Sequence, residues 1–336
     1  MQLWLIIIIV ICASLAAVLL ILLLLALLCY NVAFGKRYDK SPLLKYFTAD
    51  DFSLSAEAVE FKLKKNTVRG FIYRKSDIKS NGRLIIFCHG MGAGHLAYTT
   101  EIAYFCNDGY TVLAADSVGC NLSDGKSIGG MYFGALTAIA AYDYAKASPE
   151  LSDMKICFVG HSWGGYSALC ASSARKADKV VAISAPDTPA ATIRDGAAPV
   201  ISRGLACLLY PFWIIIDKVK FGKNGNKSAA KCAQSNNTPT MLVHGGKDTI
   251  VSAHRAVYYI AEGGSITKYL DKDKRHNPYN TVAAEDVLAQ LSKALASAKK
   301  MSEAERNDVF SKFDYYAATE EDKTVMSAMA EFIASS

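Results

Sequence analysis

The first 28 residues break the pattern of everything that follows. Leu3 to Leu28 is an apolar run without one charge, 26 residues long. As a helix it spans about 39 Å, more than the roughly 30 Å of a bilayer's hydrocarbon core. From Ala58 the hydrophobic period becomes two. Val59, Phe61 and Leu63 alternate with polar residues, Asn66 turns the chain, and Val68 to Tyr73 resumes, which predicts a hairpin. Arg83 to Cys88 is a short continuous apolar run, the pattern of a strand buried on both faces. Beyond it, helical and strand-like segments alternate. Helices are predicted at about Ala97–Cys106 and Met131–Lys146 and after Gly164. Strands are predicted at Tyr110–Ala115, Met154–Val159 and Lys179–Ser184. This alternation predicts an α/β domain, a mostly parallel sheet with helices on both faces.

Between Pro186 and Asn237 the alternation stops, for far longer than an ordinary connection. The stretch holds Leu205 to Ile216, rich in large apolar side chains, and then a lysine-rich tract. Residues 187–238 are therefore expected to form an inserted cap. A strand at Pro239–His244, a helix at Ala253–Ala261, a strand at Ser265–Leu270 and a helix at Val282–Lys299 complete the sheet's units. Two closing helices are expected within 300–336. Ser302…Glu305 and Thr319…Asp322 supply capping-box signals for them.

Charge orients the apolar segment. Only Met1 and Gln2 precede it, with no basic leader and no small-residue cleavage site behind it, so it reads as a single-pass membrane anchor rather than a cleaved signal. Lys36, Arg37, Lys40 and Lys45 follow it, which by the positive-inside rule puts the rest of the chain on the cytoplasmic side. The expected organisation is an anchor at 1–30, a juxtamembrane connector at 31–52 and a main domain at 53–336. The net charge of +6 is spread along the chain, without the dense basic tract of a nucleic-acid site. The nine cysteines form no C-x-x-C pair and no metal spacing, in keeping with reduced thiols. No obligate protein partner is evident.

Gly160-His161-Ser162-Trp163-Gly164 lies between an apolar strand and a predicted helix. Strand, sharp turn and helix form the setting of a G-x-S-x-G nucleophile elbow. A serine alcohol needs a base within hydrogen-bond reach, and the base needs an orienting acid. His276 sits in a polar loop after the last predicted strand and is the expected base; His244 and His254 are the alternatives. Asp248, in the turn after the Pro239–His244 strand, is the expected acid, with Asp187 as the fallback. An oxyanion needs backbone donors. The N–H groups of Trp163 and of Met91, in the glycine-rich loop His89–Gly94, are expected to supply them. His89 and His161 are expected to be structural.

These pieces resemble the serine hydrolases of the α/β-hydrolase superfamily, and within it the monoacylglycerol-lipase and serine-aminopeptidase-like branch. The resemblance rests on His89-Gly90-Met91-Gly92, the turn from Asp116 to Gly125, the elbow through Gly165, His244-Gly245-Gly246-Lys247-Asp248 and His276-Asn277, and covers about residues 58 to 299. It implies an α/β-hydrolase fold, a Ser162–Asp248–His276 triad, an oxyanion hole at Met91 and Trp163, an Asp116 turn that shapes the pocket floor, and no cofactor. The expected activity is hydrolysis of a lipophilic or acyl ester through an acyl-enzyme. Amide, peptide or thioester hydrolysis would use the same triad. A non-catalytic binding protein on the same scaffold is the reading of a different class.

Overall fold

The computed structural model describes residues 2–92, 94–263 and 265–335. Ala93, in the predicted oxyanion loop, and Ser336, at the end of the predicted main domain, lie outside the described residues. Eight strands form one sheet in the order β1-β2-β4-β3-β5-β6-β7-β8. They are β1 (Ser55–Leu63), β2 (Asn66–Arg74), β3 (Arg83–Cys88), β4 (Thr111–Ala115), β5 (Lys155–His161), β6 (Lys179–Ile183), β7 (Thr240–Gly245) and β8 (Ile266–Asp271). The β1–β2 hairpin turns through Lys64, whose φ is 54°. β1 and β2, and β2 and β4, are antiparallel, and all remaining neighbours are parallel.

Twelve α-helices accompany the sheet among the described residues: α1 (Gln2–Phe34), α2 (Thr99–Asn107), α3 (Tyr132–Ala147), α4 (Trp163–Ser172), α5 (Pro189–Ile201), α6 (Arg203–Phe221), α7 (Ala229–Ser235), α8 (Val257–Ile260), α9 (Val282–Ser297), α10 (Glu303–Ser311), α11 (Tyr315–Ala318) and α12 (Lys323–Ala334). The pleat sends alternate residues of each central strand to opposite faces. On β5, Ile156 and Phe158 join the core beneath α3, α4 and the cap, while Cys157 and Val159 join the core beneath α2 and α12. Each such Phe or Val side chain, fully withdrawn from water, stabilises the fold by about 1.5–3 kcal/mol.

Two predicted elements differ from the structure. The helix expected at Ala253–Ala261 is broken. Ala256 adopts an extended conformation and bridges Pro186, and the Val257 N–H bonds the Ala185 carbonyl, so only a 3₁₀ turn and the four-residue α8 remain. The chain also closes with three helices after α9, not two. Glu320 and Asp322 are held by backbone bonds to Thr281 and Tyr279, so Thr319 ends α11, and Asp322 itself caps α12. The other predicted cap is present in full, with Ser302 and Glu305 exchanging side chain-to-backbone bonds at the start of α10.

α1 runs four residues beyond the predicted boundary at residue 30. It is long and apolar enough to cross a membrane by length and composition. Its first twenty positions are exposed where described, whereas Ala26, Tyr30 and Phe34, at helical spacing, are buried against the cap. There the Tyr30 hydroxyl donates to Asp217 Oδ1 at 2.6 Å, and the Trp213 indole N–H donates to the Ala26 carbonyl at 3.1 Å. Just beyond the helix, the Arg37 guanidinium donates to the carbonyls of Asn121, Ser123 and Gly125, and Tyr38 bridges Cys120.

Candidate active site

β5 delivers the chain to Ser162, which sits at φ 55°, ψ −118°. That region is strained for a residue with a side chain and persists only where the surroundings over-determine it. The surroundings here are two close backbone crossings. A Cβ on Gly160 would strike the Gly164 carbonyl, and one on Gly164 would strike the carbonyl of Cys88 at the end of β3. Trp163 opens α4, so its N–H belongs to the first turn, whose donors have no partner within the helix. The Trp163 indole is buried and donates to the Met131 carbonyl at 2.7 Å, fixing α4 against the start of α3.

The structure brings Asp248 and His276 together. His276 Nδ1 lies 2.8 Å from Asp248 Oδ2, and the other carboxylate oxygen accepts the N–H groups of Ile250 and Val251. Burial pushes the Asp248 carboxyl up, but the His276 hydrogen bond and charge and the Val251 N–H outweigh it and hold the group below the usual carboxylate range. Ser162 and His276 line the same cavity, of about 1390 Å³, together with Met91 and Trp163. Among the described residues no hydrogen bond joins Ser162 Oγ to His276.

Asp187, the fallback acid, faces elsewhere. Its Oδ1 accepts from the Ser228 hydroxyl and the Ala230 N–H, at the start of α7. His244 stacks on Tyr258, with Nδ1 4.0 Å from Asp248 Oδ2. His254 is exposed at the cavity and pairs with Asp195. His89 accepts the Ser117 N–H on Nε2 and contacts the Gly90 carbonyl with Nδ1; burial lowers its pKa, so it is a neutral brace.

A chain of hydrogen bonds behind the cavity has no counterpart in the sequence reading. The Gly90 N–H donates to the Tyr98 hydroxyl at 3.0 Å, and Tyr98 Oη lies 2.9 Å from His161 Nδ1. His161 Nε2 lies 2.9 Å from the His276 carbonyl oxygen. Since a carbonyl only accepts, His161 carries its proton on Nε2 and Nδ1 accepts from Tyr98. Burial, and then the nearby His276 charge, push the His161 pKa down to about 3. The same chain occupies the Gly90 N–H, so the next donor along this loop is that of Met91. Glu285 completes the support, its carboxylate accepting the N–H groups of Arg275 and Asn277 on either side of His276.

Asp116 is not a cavity-floor residue. It is fully buried off the lining, where Oδ1 accepts from the His95 N–H and ring and Oδ2 accepts from the Leu122 N–H. It braces the loop that follows Met91.

A family model described as the alpha/beta hydrolase fold matches residues 83–199, from β3 into the cap. A crystal structure of a Pyrococcus furiosus esterase superposes with a TM-score of 0.57 at 20% identity, covering 77% of this chain and 97% of that one. A second crystal form of the same esterase gives 0.55 at 20% identity over the same shares. No curated protein sequence matches. The chain has the α/β-hydrolase fold.

In this α/β-hydrolase domain the cap contributes to the cavity through α5 and the start of α6: Thr192, Arg194, Asp195, Ala198, Pro199, Arg203 and Cys207. The long apolar run Leu208–Ile216 does not line it. Leu209, Trp213 and Ile216 are buried against the core and α1 instead. Asp195 fastens this wall to the main domain through Arg255 at 2.9 Å and His254 at 2.8 Å.

Proposed function

We propose that this protein is a membrane-anchored serine hydrolase that cleaves a carboxylic ester through an acyl-enzyme on Ser162. The observation that carries the reading is the strained elbow at Ser162 on the same cavity as the Asp248–His276 pair. His276 takes the Ser162 proton as the alcohol attacks the ester carbonyl, and Asp248 holds the ring with Nε2 free to accept it. The N–H groups of Met91 and Trp163 stabilise the oxyanion. His276 then returns the proton to the leaving alcohol, and water repeats the sequence to release the acid. No step calls for a cofactor. The name of the P. furiosus esterase supports an ester over an amide. The exposed apolar length of α1 and the basic residues after it support an anchor with the main domain on the cytoplasmic side.

The test uses the full chain in detergent, with a fluorophosphonate probe and p-nitrophenyl esters of graded length. The expected result is labelling and turnover in the native protein and loss of both in Ser162→Ala, with the fold unchanged by circular dichroism. Turnover by folded Ser162→Ala would sink the triad reading.

A further inference from the structure

Between its charged ends, Arg203 and Asp217–Lys220, helix α6 is apolar on every side. From Gly204 to Ile216 it carries no charge. One face, Ala206, Leu209, Trp213 and Ile216, is buried. The opposite face carries Leu208, Pro211, Ile215 and Val219, spaced by three and four residues, and all are exposed. Val219 is 81% exposed, and Val200, near the turn between α5 and α6, 82%. A helix that is hydrophobic all round belongs inside a core or a membrane. Among the described residues nothing covers the outer face.

The contacts with α1 identify what does. Trp213 bonds Ala26, and four residues on, Asp217 bonds Tyr30. One turn of α6 therefore matches one turn of α1, and the two helices run parallel. From Trp213 back to Arg203 is ten residues, about 15 Å of helix. The turn between α5 and α6 thus reaches the level of about residue 16 of α1. A hydrocarbon core about 30 Å thick takes about 20 residues of helix. Even if that core covers only the freely exposed start of α1, up to residue 21, the turn lies about 7.5 Å inside it, within the depth range of interfacial helices. The charges fit the same placement. Lys36, Lys40, Lys218 and Lys223 are exposed near the far ends of both helices, at headgroup level. Arg203, next to the turn at the immersed end, is exposed and also borders the cavity.

We propose that the α5–α6 hairpin is a second, non-spanning membrane element, inserted beside α1 in one leaflet, and that the cavity takes its substrate sideways from that leaflet. The cavity reaches from Ser162 to Ala198, Pro199, Arg203 and Cys207 on the immersed hairpin. Its substrate class is then an amphiphilic ester, with the acyl chain resident in the bilayer and the ester group near the headgroups. This rests on the anchor and ester readings above.

The full chain is reconstituted in phosphatidylcholine nanodiscs with Cys12, Cys29 and Cys207 changed to Ser, and bimane is attached at V200C, L208C or D153C. Quenching by nitroxide-labelled acyl chains is expected to be several-fold stronger at residues 200 and 208 than at residue 153, an exposed site just before β5. Equal quenching at all three overturns the insertion. In an otherwise native chain, Leu208→Asp with Ile215→Asp is expected to lower turnover of a long-chain ester held in vesicles at least tenfold, leaving a water-soluble short-chain ester unaffected. Equal turnover of the vesicle substrate by native and variant protein overturns the sideways route. Absence of short-chain turnover in the native protein sinks the esterase reading alone, since the quenching result does not depend on catalysis.

Discussion

Tyr98 holds His161 from behind, through a 2.9 Å hydrogen bond from its hydroxyl to Nδ1. The same hydroxyl accepts the Gly90 N–H, and His161 in turn holds the carbonyl of His276. One phenol therefore ties the loop of the proposed oxyanion donor Met91 to the loop of the proposed base. Tyr98→Phe removes both bonds, leaving the buried Gly90 N–H unpaired, at about 1–3 kcal/mol, and His161 Nδ1 with only the longer contact to the Tyr279 hydroxyl at 3.5 Å. If that loss falls on the transition state, kcat drops roughly 5–150-fold. The check is steady-state kinetics on a soluble ester. An unchanged kcat would mean that the two loops hold their places without the phenol.

His161 also predicts a pH dependence of stability. Its folded pKa is pushed down to about 3, chiefly by burial. The unfolded chain binds a proton at about pH 6.5. Between those values the unfolded state holds a proton that the native state lacks, so stability falls as pH falls, by up to about 1.4 kcal/mol per pH unit. The effect is absent above pH 7. The buried carboxyls of Glu101 and Glu321, whose pKa values burial raises, act with the opposite sign, so the His161 contribution is read by comparison: in urea unfolding of the detergent-solubilised chain, His161→Gln should lose less stability from pH 7 to pH 5 than the native protein does. Identical losses in the two proteins would contradict the assignment. His89 and His244, whose pKa values burial also lowers, keep some of the slope in either case.

The acid can be tested by contrast. Asp248→Asn leaves an amide against His276 Nδ1 and favours the wrong ring tautomer, a change that costs about 10⁴ in kcat in a comparable triad. Asp187 sits among the donors at the start of α7. Asp187→Asn should therefore keep kcat within a few-fold and cost stability instead. Parallel kcat and melting measurements decide, and the reverse ranking would move the acid to Asp187.

The proposed topology rests on charge, and the structure shows what those charges touch. Arg37 is spent on three carbonyls of the 121–125 turn, and the Lys45 ammonium sits over the rings of Phe47 and Tyr316. Lys36, Lys40 and Lys45 are all exposed, and Lys36 and Lys40 follow the end of α1 most closely in the chain. A tag after Ser336 should resist protease added to intact cells and become sensitive once the membrane is opened. Digestion from outside would reverse the orientation.

What the sequence revealed follows from how local each signal is. The elbow is written in five consecutive residues. Asp248 and His276 each follow a strand whose apolar run is plain, so their places in the fold could be read from order alone. Tyr98 and His161 could not be paired this way, because they are 63 positions apart and the sequence marks neither as a partner of the other. The helix expected at Ala253–Ala261 has a sound local pattern, but the bridge between Ala256 and Pro186 overrides it. The cap shows the same limit. Leu208–Ile216 is conspicuous for its apolarity, and its buried face is taken by α1, an element almost two hundred residues earlier, while smaller residues of α5 form the cavity wall.

The docking of α1 has a bearing on range. A catalytic domain on a flexible leash samples a hemisphere around its tether and can work on a facing membrane or on micelles passing by. Here the Tyr30–Asp217 bond, the Trp213 indole and the Arg37 grip leave no slack between helix and domain. With α1 seated in a bilayer, the mouth of the cavity stays at a fixed height and a fixed tilt. If the proposed anchoring holds, the protein acts in cis, on molecules that reach it by two-dimensional diffusion in its own membrane, and its turnover should scale with the mole fraction of substrate in that membrane rather than with bulk concentration.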